Sequence, residues 1–448
     1  MTLPLPPTLS RDVDPTTAAT EFYKALVAYN KTHGTYPAVY NLGQGIEPQI
    51  PEGRLKEIMT EPRAGTLNGF YAFSGGVQDQ RIVAASWVNR FYNVPATWEN
   101  TLIYPTHGRS HLDRLFLNTH FAQQKLDRSQ QGLVVLENNH WAMLDSQISE
   151  NDLEKVEYNS YNWFEGLQTI DQQALQTNRS MLVYDANVTN PLSMHKNQRW
   201  YHPLFQTLEA ANSVREQQKS PLVSAVIDMP YSMAREQRTI EQGSYFDAGL
   251  DSVLKKSIIT PYYIVISFSK MIGDATNGFS IVVTHPKYTE SYRGKNHRGQ
   301  MSASNATHVS RYMDLMQPEN DQLLLTHCDT LRQKYKENGD MLTHTIKEIN
   351  HPHIRVLHGG VGMTKPVQFE QELFQGQKIQ SERFDGLTYQ INDMHDFVEY
   401  LGLEHGVVCV KQADNMGRFA LAPQTAQFKE SMTPLTKGIT QIANLVNA

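Results

Sequence analysis

The sequence predicts an α/β protein: a mainly parallel sheet covered by helices on both faces, followed by a smaller α+β unit. Two observations carry this. Short runs of β-branched and aromatic residues recur between residues 101 and 286, and most are separated by longer stretches with helical spacing of apolar positions. The runs are also nearly continuous in apolar character, as strands buried on both faces are.

The elements follow in order. Residues 1–14 are proline-rich and read as an arm. The stretch "PTTAATEFYKALVAYNKTHG" opens with a capping Thr and spaces Phe22, Ala25, Leu26 and Tyr29 as a helix does. The strand candidates are "TLIYPTHG" (101–108), "GLVVLENNHW" (132–141), "SMLVYDANVTNP" (180–191), "PLVSAVIDMPY" (221–231), "YYIVISFSK" (262–270) and "GFSIVVTHP" (278–286). Helix-like stretches between them include "RSHLDRLFLNTHFAQQKL" and "RWYHPLFQTLEAANSVREQQ". Residues 318–350 form one long helical pattern, after which come short alternating runs and an amphipathic end, "TPLTKGITQIANLVNA". The expected division is an N-terminal arm and helix over 1–50 that packs with the small unit, a large domain over 51–317, and an interdomain helix with a small domain over 318–448.

Composition narrows the function. With 448 residues, 40% apolar, 19% charged and a formal net charge of −6, the chain has the make-up of an ordinary globular protein. A pI near 6.3 gives no electrostatic case for nucleic acid or an anionic membrane. No apolar run approaches membrane-spanning length, and "MTLPLPPTLSRDVD" lacks the basic and apolar regions of a signal peptide. The two cysteines, Cys328 and Cys409, lie far apart, which argues against a disulfide scaffold and suits a reducing cytoplasm. His107 and His111 stand four apart, but nearby carboxylates complete no zinc signature, so no metal site is expected. The stretch "HPHIRVLHGGVG" reads as a surface turn feeding a strand of the small unit.

Ligands of open α/β sheets collect outside the carboxyl ends of the strands. Reading off those ends places Gly108-Arg109-Ser110 at a helix start, then Trp141, Asn190, Asp228 with Tyr231 three residues on, and Lys270 flanked by Ser267 and Ser269. A desolvated lysine is a nucleophilic amine that forms Schiff bases with aldehydes. A carboxylate keeps a pyridine nitrogen protonated, a helix N-terminus cradles phosphate, and a flat side chain stacks on a flat ring. All four functions suit one molecule, pyridoxal phosphate (PLP).

In this arrangement the chain resembles the fold-type-I PLP-dependent enzymes, specifically the class I/II aminotransferases, over nearly its whole length. The resemblance implies a large PLP-binding α/β/α domain with a mainly parallel sheet, a smaller α+β domain, and a homodimer with shared active sites. "NLGQGIEPQIP" is similar to the family's N-terminal segment, which places Gly45 near the substrate carboxylate; "YAFSGG" implies that Tyr71 reaches the phosphate of the neighbouring subunit's cofactor. "HGRSHLD" resembles the phosphate-binding helix start, and "NHW" puts Trp141 on the cofactor ring. "NPLS" and "DMPY" imply Asn190 and Tyr231 at the ring's phenolic oxygen and Asp228 at its nitrogen; Asn190 also lies toward the substrate. "SFSK" matches the Ser-x-x-Lys signature, with Lys270 as the Schiff-base lysine and proton shuttle, and "GRFALA" implies that Arg418 clamps the substrate α-carboxylate.

Three departures stand out. The family's arginine seven or eight residues after the lysine is missing: Asn277 and Gly278 stand there, and no basic residue occurs between Lys270 and Lys287. Arg109 is expected to supply that charge to the phosphate, with Ser110, Ser267 and Ser269 as donors. Leu192-Ser193 replace Thr-Gly, and "VKQADNMG" lacks the usual Pro-Gly. The expected reaction is transfer of an amino group from an α-amino acid to a 2-oxo acid; elimination, decarboxylation or oxidation on the same scaffold, and a catalytically retired ligand-binding homologue, are the alternatives.

Overall fold

The computed structural model describes residues 6–44, 51–60, 75–141, 143–159, 161–190, 192–234, 244–273, 278–294, 303–357, 362–412 and 415–446. Seven strands form the main sheet: β1 (Thr101–Tyr104), β2 (Gly132–Glu137), β3 (Leu153–Tyr158), β4 (Met181–Ala186), β5 (Ser224–Met229), β6 (Tyr262–Ser267) and β7 (Ser280–Thr284). Their order is β1-β7-β6-β5-β4-β2-β3. Every pair is parallel except those made by β7, which runs against both β6 and β1. The carboxyl ends of the other six strands therefore point the same way.

Alternation along each strand feeds two cores. Val135, Val183, Ile227 and Ile264 face one, and Val134, Leu182, Val226 and Val265 face the other, all essentially inaccessible to solvent. Helix Arg109–Leu126 covers the second face with Leu112, Leu115 and Phe116, and helix Gln198–Gln217 covers the first with Tyr201, Leu204 and Leu208.

The sequence reading omits β3 altogether. Its residues Glu154, Lys155 and Glu157 are solvent-facing, so an edge strand with a single buried face presents no continuous apolar run. Two helix starts also need correction. Helix Pro15–His33 is capped by Asp14, whose Oδ1 accepts the amides of Thr16 (3.0 Å) and Thr17 (3.1 Å), so no Thr is the cap. The last helix is Thr425–Val446 and runs through Pro434, beginning before the amphipathic stretch that starts at Thr433.

Beyond the long helix Asp321–Ile349, strands Val410–Gln412, Met416–Ala420, Thr364–Phe369 and Ile354–Val356 form an antiparallel sheet in that order. The last of these lies in the His- and Gly-rich stretch expected to feed a strand. Two polar anchors tie the long helix down. Arg90 grips Asp321 with Nε (2.7 Å) and Nη2 (3.0 Å), and Asn338 donates to the carbonyls of Leu421 and Pro423, both at 2.9 Å. The first helix packs on this C-terminal part: a Cβ at Gly402 would sit 2.3 Å from the Phe22 ring, and Tyr40–Asn41 pairs in parallel with Val407–Val408. No helix among the described residues is long and apolar enough to cross a membrane.

One buried charge network holds the strand ends beneath the main crevice. Lys196 contacts both Glu137, at the end of β2, and Asp185, in β4; Asp185 also accepts from Trp200 Nε1 (3.1 Å) and Tyr201 OH (2.9 Å). Lys196→Met would leave two buried carboxylates without their ammonium. Thermal denaturation at pH 7 should register a loss of roughly 3–5 kcal/mol, and adding Glu137→Gln and Asp185→Asn to the lysine variant should recover part of it.

Candidate active site

A cavity of about 410 Å³ opens at the carboxyl end of the sheet. Adjacent strands supply its polar wall. Asp228, in β5, lies level with Ala186 of β4 and Val265 of β6, so its carboxyl stands between Tyr184 and the segment that carries Lys270. Tyr184 OH donates to Asp228 Oδ2 at 3.1 Å. Burial pushes the Asp228 carboxyl up to about 7, against the opposing pull of the Tyr184 hydroxyl and the Met229 amide. Lys270, just past β6, is driven the other way: burial, then the positive charge of Arg418, lower its ammonium to about 8.

Asn190 and Tyr231 meet above Asp228. Asn190 Nδ2 donates to Tyr231 OH at 3.0 Å, while Asn190 Oδ1 is buried with no hydrogen-bond partner among the described residues. Burial raises the Tyr231 phenol, and Arg418 opposes that rise. Trp141, following β2, and Met143 complete this side.

The opposite end of the cavity is a helix start. Gly108 precedes helix Arg109–Leu126, and a Cβ there would lie 3.3 Å from Ser267 Cβ and from Val265 Cγ1, tighter than most real contacts. Only a residue without a side chain lets the helix start approach β6 so closely. Arg109 and Ser110 line the cavity beside Ser267 and Ser269, and Ser110 Oγ lies 2.8 Å from Thr106 Oγ1. The helix N-terminus and the Arg109 guanidinium make this end electropositive.

Arg418 arrives from the small sheet, in strand Met416–Ala420. It is only 2% exposed. Its Nη2 donates to the Gly43 carbonyl at 2.9 Å, and its Nε is buried without a partner. No carboxylate among the described residues pairs with this guanidinium, and burial lowers its pKa. A buried, half-satisfied fork of this kind is suited to a ligand carboxylate.

The cavity thus brings together Gly108, Arg109, Ser110, Trp141, Asn190, Asp228, Tyr231, Ser267, Ser269, Lys270 and Arg418. Gly45, Tyr71 and Asn277 lie outside the described residues. Sequence reasoning missed Thr16 and Thr20 of the first helix, Gln44, His107 and Tyr184, all of which line the same space. Tyr184 had a usable signal, since it alternates with Leu182 onto the face that carries the site. The others become neighbours only through long-range packing. His111 is occupied elsewhere, with its ring nitrogens 2.8 Å from Tyr292 OH and from Ser280 Oγ.

The same architecture recurs in solved structures. Aspartate aminotransferase from Thermus thermophilus, determined with maleate, superposes with a TM-score of 0.70 at 13% identity, covering 95% of this chain and 97% of its own. Aspartate aminotransferase from Rhizobium meliloti gives 0.69 at 13% identity over 99% and 98%. Substrate-bound BacF from Bacillus subtilis gives 0.66 at 16% identity over 93% and 94%. No protein-family model and no curated protein sequence matches the chain. The likeness shows the fold: a fold-type-I PLP-enzyme α/β architecture along the full length.

Two titrations follow from the burial of the ionisable pair. Lys270 should react with cyanate in the ligand-free protein with a midpoint near pH 8, well below the ordinary lysine value of about 10.4; peptide mass spectrometry across pH reads this out. Asp228 binds its proton more tightly folded than unfolded. Its contribution to stability is therefore complete below its unfolded pKa and lost as pH rises through about 7. Asp228→Asn should remove that part of the pH dependence and stabilise the ligand-free protein at pH 8, on the order of 4 kcal/mol from a shift of about three units.

Proposed function

We propose that the chain is a PLP-dependent aminotransferase that moves an amino group from an α-amino acid to a 2-oxo acid. The observation that carries this reading is one cavity lined by three ionisable groups of different kinds: the buried Asp228 and Arg418 and the half-buried Lys270. Its features suit the cofactor. The unpartnered Asn190 Oδ1 and Arg418 Nε await polar atoms, the Asp228 carboxyl stands ready for a basic nitrogen, and the helix start at Gly108 suits a phosphate.

When bound, PLP supplies an aldehyde and a pyridinium ring that withdraws electrons from the substrate Cα. The chain's own residues supply the rest. Asp228 would hold the proton on the ring nitrogen, its carboxylate oriented by Tyr184. Lys270, with an amine lowered to about 8, is unprotonated in about a tenth of molecules at pH 7 and would hold the cofactor through its aldehyde. With the substrate in place, its Nζ would be the group that accepts the Cα proton and holds it for return. Asn190 and Tyr231 would hold the ring's phenolic oxygen, Trp141 would stack on the ring, and Ser110, Ser267 and Ser269 with Arg109 would hold the phosphate. Arg418 grips the α-carboxylate and so orients the Cα–H bond.

The family resemblance adds Gly45 at the substrate and Tyr71 at the partner's cofactor, hence a homodimer with shared sites. Two buried free cysteines, Cys328 and Cys409, accord with a cytoplasmic setting.

Added PLP should give the protein a visible absorption band that Lys270→Ala removes. Amino acids supplied in pools should shift that band to the amine form of the cofactor, and an added 2-oxo acid should restore it. A change that no 2-oxo acid reverses would favour elimination, decarboxylation or oxidation. Arg418→Ala should weaken amino-acid binding about a hundredfold while leaving the band in place; an unchanged KM would remove Arg418 from the substrate site.

A further inference from the structure

The electropositive end of the cavity holds a second candidate donor besides Arg109. His107 immediately precedes the helix start and lines the cavity, with its Nδ1 3.0 Å from Ser269 Oγ, next to Lys270. Its other ring nitrogen, Nε2, has no hydrogen-bond partner among the described residues. The ring is also wedged in place. Gly278 stands against it with φ +63°, and a Cβ there would fall 2.6 Å from Nδ1, 2.7 Å from the His107 amide nitrogen and 2.8 Å from Cε1. No side chain fits at 278 while His107 holds this position. From the far side, His308 Nε2–H donates to the Gly278 carbonyl at 3.0 Å and pins the backbone that forms the wedge.

The family resemblance places the missing arginine at or beside position 278, and a side chain there would start in the volume next to His107. The imidazole takes that volume instead, reaching it from the helix start. We propose that His107 is a cofactor-binding residue that donates Nε2–H to the phosphate of PLP, with Ser269 serving as its orienting partner. The inference rests on the functional reading above. Ser269 has one hydroxyl proton. Given to Nδ1, it sets the imidazole tautomer with hydrogen on Nε2, and Ser269 is then a positioning residue and no longer a phosphate donor. Arg109 and His107 would hold the phosphate from one side of the cup.

The test compares PLP with pyridoxal, which has the same ring and aldehyde but no phosphate, by absorbance and fluorescence titration of the ligand-free protein. His107→Ala should weaken PLP binding about ten- to a hundredfold, the range for a hydrogen bond to a charged group, and leave pyridoxal binding unchanged. His107→Gln, which keeps an N–H donor of similar reach, should recover part of the loss. Ser269→Ala should weaken PLP alone, by a smaller factor. Equal weakening of both ligands by His107→Ala would show that the ring only props the Lys270 turn, and no weakening of either would show that it faces nothing; each overturns the proposal. A wild-type protein that binds neither ligand would remove the functional reading itself.

Discussion

A carboxyl group buried at the end of β5 is the constraint on which the rest of the site depends. Asp228 is 7% exposed, and such a group stays charged only where donors or a cation meet it. The fold supplies one hydroxyl, from Tyr184, and one amide, from Met229, which is not enough to cancel burial. What is left over is a demand for a positive partner in the cavity. A protonated pyridine nitrogen would answer it, and the same burial that raises the Asp228 carboxyl also lowers the Lys270 amine. One desolvated crevice therefore prepares both groups at once, and it does so only because β5 and β6 end side by side.

Strand β4 shows the contrast. Tyr184 and Asp185 are consecutive and face opposite sides of the sheet. Asp185 closes its network within the protein, with Lys196, Trp200 and Tyr201 around it. Asp228, reached from the other side, is left with a single side-chain donor. The closed network braces β2 and β4, whose continuations carry Trp141 and Asn190, and the open one faces the cavity. Structural and functional carboxylates are thus separated by the thickness of one strand.

Legibility in the sequence follows the same physics. Strands buried on both faces announce themselves as apolar runs, and β2, β4, β5 and β6 were visible on that ground. The charged edge strand β3 was not, and the reversed direction of β7 leaves no trace in composition. Residues at strand ends, such as Asp228 and Lys270, could be placed in one crevice because parallel strands deliver their carboxyl ends to one side. His107 could not be set beside Ser269, since 162 positions separate them and only the antiparallel return of β7 brings Gly278 against the helix start.

The substrate end is assembled by still longer connections, which is why no short motif describes it. Arg418 is fixed by the Gly43 carbonyl, 375 positions away, and Gly43 is held by the parallel pairing of Tyr40–Asn41 with Val407–Val408. That pairing depends in turn on the first helix seated against Gly402, and the same helix lends Thr16 and Thr20 to the cavity wall. Thr16 Oγ1 is buried there with no hydrogen-bond partner among the described residues. In the function proposed, Lys270 and Arg418 would meet the amine and carboxylate common to any amino acid. The part that varies would fall to the wall lent by the first helix, whose position is set by packing against the opposite end of the chain. Substitutions that shift the Phe22–Gly402 contact should therefore alter which substrate is accepted more than whether the cofactor binds.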